Sequence, residues 1–183
     1  MKFILASASP RRRDILNSYG FDFDVIPSKI EEIVEKRLPP EKVAERLAEI
    51  KAEDVFARFG RPTLGADTIV VIGGEILGKP KNRDSHRKML KKLSGKTHSV
   101  ITGYAYLTNK GKTVASERSL VTFRNLSDEE IEGYIDSGLG DDKAGGYGIQ
   151  DEAGLVSSVE GSYFNVVGLP IEKIEPLIKG DNK

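Results

Sequence analysis

No cysteine occurs among the 183 residues of the chain. That absence excludes a thiol nucleophile, a disulfide framework and any cysteine-ligated zinc site. Histidine is nearly missing too: His86 and His98 are 12 positions apart in the sequence, without metal-ligand spacing, and are expected to be solvated or structural. Neither sign of charge prevails, since 28 basic residues balance 28 acidic ones. With aromatic residues at only 7%, this gives no general attraction for nucleic acid or for an acidic membrane, so any anion site must be local. Long apolar runs are lacking as well; the run at residues 69–72 is far shorter than the roughly 20 residues that span a bilayer. The opening MKFILASASP carries one lysine and a short apolar stretch, but arginines follow at once, as expected of a buried first strand and not of a secretory signal. These absences place the chain in the cytoplasm, with no membrane and no nucleic acid as partner.

What is present is an ordinary globular composition, 38% hydrophobic and 31% charged. A chain of this length buries about 70% of the surface that it exposes when unfolded, which suits one domain over residues 1–183, with two lobes and no linker. The pattern predicts a strand over residues 2–8, then a helix with Ser9 as N-cap, Pro10 at its first position and Ile15, Leu16 and Tyr19 facing inward, stopped by Gly20. A second strand is expected over 21–26, a polar loop over 27–40, a long amphipathic helix over 41–59 and a central strand over 63–72. Gly73-Gly74 turns the chain. A helix over 85–93, a hairpin of strands 98–108 and 113–123, a helix opened by the Ser127/Glu130 capping box, a glycine-rich stretch over 138–154, a strand or strand pair over 155–167 and a terminal helix from Pro170 complete the chain. The order is α/β with an antiparallel portion.

Four stretches could carry chemistry. ILASASPRRR (residues 4–13) crowds three arginines into a helix start, where the partial positive charge disfavours cations. A bound phosphate would resolve the conflict, because free N–H groups at a helix start accept it and Arg11 and Arg12 add bidentate donors. A basic surface turn held by Asp14 is the alternative. GGEILGKP (73–80) matches a phosphate-binding G-x-x-x-x-G-K loop but has Pro80 where a hydroxyl is needed, and Ile76-Leu77 read as a strand, so that reading fails. Lys79, rigid between Gly78 and Pro80, is expected to face one cleft with Asp67, or else to be a solvated loop lysine. Asp67 is polar at the mouth of the apolar strand LGADTIVVI (64–72), where a carboxylate is costly unless a cation, a metal or N–H groups compensate it. It could hold Mg²⁺, take a proton from water or be a satisfied structural residue. Glu31 and Glu32, in the polar loop, gain interest only beside Asp67. DDKAGGYGIQ (141–150) combines small residues that let the backbone approach a ligand with Asp142, Lys143 and Gln150, whose amide could read a base edge.

Together these stretches resemble the Maf family of nucleoside-triphosphate pyrophosphatases, also described as septum-formation proteins. SASPRR, IEE (30–32), Lys51 of the long helix, GADTIV, GEILGKP, LSGKTHSVITG (93–103), DKAGGYGIQ and GSYFNVVGLP (161–170) run in family order through nearly the whole chain. The resemblance implies a mixed α/β sheet with flanking helices, similar to the inosine triphosphate pyrophosphatases, with two lobes around a cleft. It also implies metal-dependent hydrolysis of a nucleoside triphosphate to the monophosphate and pyrophosphate, and a homodimer. Asp67 would be the proton acceptor, Glu31 with Asp67 would hold Mg²⁺ or Mn²⁺, and Ser7, Ser9, Arg11, Arg12, Lys51 and Lys79 would bind phosphates. Arg11, Thr68 and Gln150 match the subgroup acting on dTTP and UTP; the subgroup acting on 7-methyl-GTP tends to carry a bulky aromatic at the position of Arg11. Gly146 stands where alanine is common and is expected to loosen its loop. A nucleotide-binding regulator of cell division with incidental hydrolysis is the alternative function.

Overall fold

In the computed structural model, residues 2–30 and 38–181 are described. The apolar opening forms β1 (Phe3–Leu5), buried throughout. Pro10, lacking an N–H that the first turn could not use, opens α1 (Pro10–Ser18), and Gly20 at φ 73° follows its end. After β2 (Phe23–Val25) comes α2 (Pro40–Phe59), closed by Gly60 in the left-handed region. β3 (Thr63–Ile72) then turns through Gly73 and Gly74, both at positive φ as a two-residue hairpin demands, into β4 (Glu75–Leu77). The remaining elements are α3 (Arg83–Leu93), β5 (Thr97–Thr108), β6 (Gly111–Phe123), α4 (Asp128–Asp136), β7 (Val156–Glu160), α5 (Tyr163–Val167) and α6 (Ile171–Asp181). One mixed sheet runs in the order β2-β1-β3-β5-β6-β7, with β4 on β3. β1 is parallel to both β2 and β3, whereas β4 and β7 are antiparallel to their partners. Among the described residues, no helix is long and apolar enough to cross a membrane.

The structure departs from the sequence pattern in several places. α3 begins two residues before Ser85, because the side chains of Asn82 and Ser85 each accept the other's backbone N–H and cap it. The segment after β7 is helical and not a second strand: Gly161 at φ 104° breaks the extended chain, and the Ser162 hydroxyl accepts the N–H of Asn165. Tyr19 stays 37% exposed, and the buried face of α1 is instead Arg12, Ile15 and Leu16. Phe59, at the last turn of α2, is exposed and lies under the Arg58 guanidinium.

The chain divides into two compact units, one of Met1–Thr68, Thr102–Glu117 and Gly168–Lys183, the other of Ile69–Ile101 and Arg118–Val167. In the first, α2 lies directly on the sheet. Its alanines 44, 48 and 52 are fully buried, and the strands beneath offer glycine: a Cβ on Gly65 would meet the Ala48 carbonyl and come within 2.9 Å of the Ala52 side chain, and one on Gly103 would meet the Ala44 carbonyl. The second unit has its core between α3, α4 and the sheet, around Leu90, Leu93, Phe123, Ile131 and Tyr147. Both histidines are buried in it. The His98 Nε2 lies 2.6 Å from the Tyr147 hydroxyl, and its Nδ1 is buried without a partner.

Gly65→Ala is expected to overpack the α2 contact and cost about 1–3 kcal/mol. Thermal melting should register this as a loss of several degrees, while Gly133→Ala, in α4 with nothing within 4 Å of the added methyl, should raise the midpoint. Burial pushes the His98 imidazole from 6.5 down to about 4. The unfolded chain therefore takes up this proton first, so its contribution is complete above pH 6.5 and falls away towards pH 4, by on the order of 3 kcal/mol. Urea titrations across that window should be flatter in His98→Gln than in the wild type.

Candidate active site

The parallel register of β1 and β3 pairs Ile4 with Thr63 and Leu5 with Leu64, and the Ala6 N–H still reaches the Leu64 carbonyl at 2.8 Å. β1 then stops while β3 continues, so residues 7–9 leave the sheet alongside the stretch of β3 that carries Asp67 and Thr68. The carboxyl end of parallel strands is where open α/β sheets place their ligands. Ser7 is buried here, and its hydroxyl accepts the Ser9 N–H at 3.3 Å. Ser9 occupies the N-cap position of α1 as expected, but its side chain makes no capping bond. The cap predicted for its hydroxyl is therefore corrected.

The three arginines separate. Arg13 is exposed and pairs with Asp14 at 3.6 Å, as the surface-turn alternative had it, but for this residue alone. Arg11 is half-buried. Arg12 is buried: its Nε donates to the Gly168 carbonyl at 2.8 Å, and its two terminal nitrogens donate to the hydroxyls of Ser7 at 2.9 Å and Thr68 at 3.1 Å. The Thr68 hydroxyl lies a further 2.9 Å from that of the fully buried Thr102. Thr102 and Gly168 belong to this arrangement although sequence reasoning gave them no role. The signal was the glycine itself, since Gly168 adopts φ 120° and a Cβ there would stand 3.3 Å from the Thr68 hydroxyl.

Asp67 and Lys51 meet because of the α2 contact. Side chains two apart on a strand share a face, so Asp67 projects to the side on which α2 covers Gly65. Lys51, next to Ala52 on that helix, donates from Nζ to Asp67 Oδ1. Both side chains are nearly withdrawn from water, at 12% and 11% exposure. A pair so placed is costly to break from one side, about 3–5 kcal/mol, because the survivor loses a charged partner at a place nearly withdrawn from water. Glu31 and Glu32 lie outside the described residues. Among the described residues no group of three or more acidic or imidazole side chains gathers as a metal cage. A magnesium-type ion needs no such cage: it binds through one or two carboxylates and completes its shell with substrate oxygens and water, and the Asp67 carboxylate suits that donor set.

Lys79 and Gln150 belong to the second unit, and both are exposed. There the Gly145 N–H donates to the Gly78 carbonyl at 3.0 Å, which ties the end of β4 beside Lys79 to the glycine-rich loop. Gly73–Leu77 forms hairpin turn and strand, in accord with the rejection of a phosphate-binding loop. His86 reaches the same loop: its Nε2 is 2.6 Å from the Gly146 carbonyl, and its Nδ1 lies 3.3 Å from an Asp141 oxygen without hydrogen-bonding geometry. Gly146 does not mark slack. It sits at φ 73° with the imidazole packed where a side chain would go, a Cβ there falling 2.7 Å from the ring. Lys143, which carries no assigned role, bonds the Leu139 carbonyl and, at 3.1 Å, the Asp142 carboxylate.

The chain is similar to known proteins along nearly its whole length. Relatives described as dTTP/UTP pyrophosphatases include one from Pyrococcus abyssi, 52% identical over 96% of this chain and 94% of its own length. Another, from Pyrococcus furiosus, is 50% identical over 100% and 96%, and a third, from Caldicellulosiruptor saccharolyticus, 45% over 97% and 94%. The fold is that of the Ham1 proteins of Staphylococcus aureus (14% identical, TM-score 0.56, covering 99% of this chain and 100% of that one) and Coxiella burnetii (15%, 0.56, 98% and 99%). The family description "Maf-like protein" matches residues 2–180, so that the turn after β1, the Asp67 strand and the glycine-rich loop all fall within one match, and the chain belongs to the Maf family.

Proposed function

We propose that the chain hydrolyses dTTP and UTP to the monophosphate and pyrophosphate. The buried Lys51–Asp67 pair, set where β1 ends and α1 begins, carries this reading. It joins a carboxylate able to take a proton to a cation able to follow phosphate, beside a helix start that accepts anions. A triphosphate has about four negative charges at neutral pH, so most of the catalytic demand is charge neutralisation and alignment.

In the proposed mechanism, Arg11, the first-turn N–H groups of α1 and Lys79 bind the phosphate chain. Arg12 acts differently: with three of its donors on Ser7, Thr68 and Gly168, it shapes the turn and orients Thr68. As phosphate enters, the Lys51 ammonium shifts from Asp67 towards the phosphate oxygens, and the carboxylate takes the proton of the attacking water. The water oxygen bonds to the α phosphorus, the bond from that phosphorus to the bridging oxygen breaks, and pyrophosphate leaves with the electron pair. A bound Mg²⁺ or Mn²⁺, which Asp67 and Glu31 would hold, supplies further neutralisation of phosphate charge. The amide of Gln150 reads the pyrimidine by donating to O4 and accepting from N3–H, an edge shared by uracil and thymine. The names of the relatives from Pyrococcus and Caldicellulosiruptor support these two substrates.

The test is pyrophosphate release from dTTP, UTP, CTP, GTP and 7-methyl-GTP with Mg²⁺ or Mn²⁺. Turnover led by dTTP and UTP is expected, and Asp67→Asn should lower kcat by about 10²-fold or more, the scale of a lost general base. Near-wild-type turnover in that variant removes Asp67 from the role. Silence across the panel with nucleotide still bound overturns the enzymatic reading in favour of a nucleotide-binding regulator.

A further inference from the structure

Gln150 sits in a turn that is braced from behind. Residues 148–151 form a tight turn closed by the Asp151 N–H on the Gly148 carbonyl at 3.3 Å. The bond is answered in reverse, because the Gly148 N–H donates to the Asp151 carboxylate at 2.9 Å. Tyr134, projecting from α4, joins both ends: its hydroxyl donates to that same carboxylate and accepts the Gly148 N–H at 3.1 Å. Tyr134 is 3% exposed, and its burial and the neighbouring carboxylate push its ionisation upward, so it remains a hydroxyl donor. Space is as limited as hydrogen bonding here: a Cβ on Gly148 would fall 2.7 Å from both Asp151 carboxylate oxygens. Gln150 itself is exposed at the corner of this turn. The hydrogen bonds that close the turn around it are thus those of Gly148, Asp151 and Tyr134.

We propose that Tyr134 and Asp151 are positioning residues for substrate selection, holding the 148–151 turn so that the Gln150 amide meets the pyrimidine edge. The inference rests on the assignment of Gln150 to base recognition. It assigns neither residue to the hydrolytic step, and it predicts that both act through Gln150. An exposed glutamine has several rotamers and a turn several conformations; a base-reading amide must select one of each before the ligand arrives, and a buried hydroxyl shared by both ends of the turn makes the backbone selection.

The test is a double-mutant cycle read on selectivity. The kcat/KM ratio of dTTP to dGTP, the inhibition constant of inorganic tripolyphosphate and the melting midpoint are measured for wild type, Tyr134→Phe, Gln150→Ala and the double variant. Tyr134→Phe should lower selectivity by about fivefold to tenfold, chiefly through KM for dTTP, with tripolyphosphate inhibition within about twofold of wild type. In the Gln150→Ala background the same change should add less than about twofold. Asp151→Asn, on the half-buried loop and not in the core, should reproduce the loss in milder form, because both bonds fall on the one oxygen Oδ2, which the amide replaces by an uncharged and weaker acceptor.

A selectivity loss from Tyr134→Phe that persists undiminished without Gln150, or an equal kcat loss on every substrate, overturns the inference. So does unchanged selectivity in both Tyr134→Phe and Asp151→Asn while Gln150→Ala loses it, in which case the base-reading role of Gln150 stands. Should Gln150→Ala itself leave dTTP preference intact, that role fails, and the inference with it.

Discussion

The absence of a side chain at two strand positions governs the geometry around the Lys51–Asp67 pair of this protein. Gly65 and Gly103 let the backbone of α2 descend until its own carbonyls occupy the space where methyl groups would stand. Small residues on the helix complete the contact, with Ala44, Ala48 and Ala52 fully buried against the strands. At that depth Lys51, one residue before Ala52, reaches Asp67, two residues beyond Gly65. A helix carried at the usual distance by larger side chains would take this ammonium away from the buried carboxylate, a loss that costs several kcal/mol. Helix packing and site electrostatics are thus one constraint.

The same unit handles its arginines by dividing their labour. A guanidinium presents donors in a fixed plane, and Arg12 uses that plane to gather the turn after β1, the hydroxyl of Thr68 and the carbonyl of Gly168. Being buried and saturated on three sides, it holds other groups in place. Arg13 turns to solvent and its neighbouring aspartate. Ser9, at the N-cap position of that helix, makes no side-chain capping bond, and Arg11 beside it is half-buried. The electrostatic conflict in the sequence is accordingly eased by the fold in part, through burial of one cation among acceptors.

In the second unit the glycine-rich loop is ordered from beneath. Its glycines are needed because something already fills the space beside them: Val70 against Gly145, the His86 ring against Gly146, the Asp151 carboxylate against Gly148. The two histidines serve as packing and hydrogen-bonding groups in this layer, one under the loop and one on Tyr147, and burial keeps His98 neutral. Tyr134 and Asp151 extend the same principle to the turn that carries Gln150.

Much of this was legible in the residues. Periodicity and capping chemistry located β3 and α2 within a residue, Ser127 and Glu130 announced α4, and the motifs in order identified the family, because each of these signals is local or nearly so. Asp67 declared itself as a polar residue in an apolar strand. What stayed hidden depended on partners distant in the chain. Nothing local distinguishes Arg12, with its partners at Thr68 and Gly168, from Arg11 or Arg13. Nothing local in the helix opened by Ser127 shows that the Tyr134 hydroxyl accepts the N–H of Gly148, 14 residues later. The sequence by itself determined the elements, the family and the residue types able to handle a triphosphate, since these follow from spacing and side-chain chemistry. Tertiary structure alone decided which carboxylate meets which ammonium and which arginine is buried, since such pairings depend on how closely backbones pack, and that distance was set at Gly65 and Gly103.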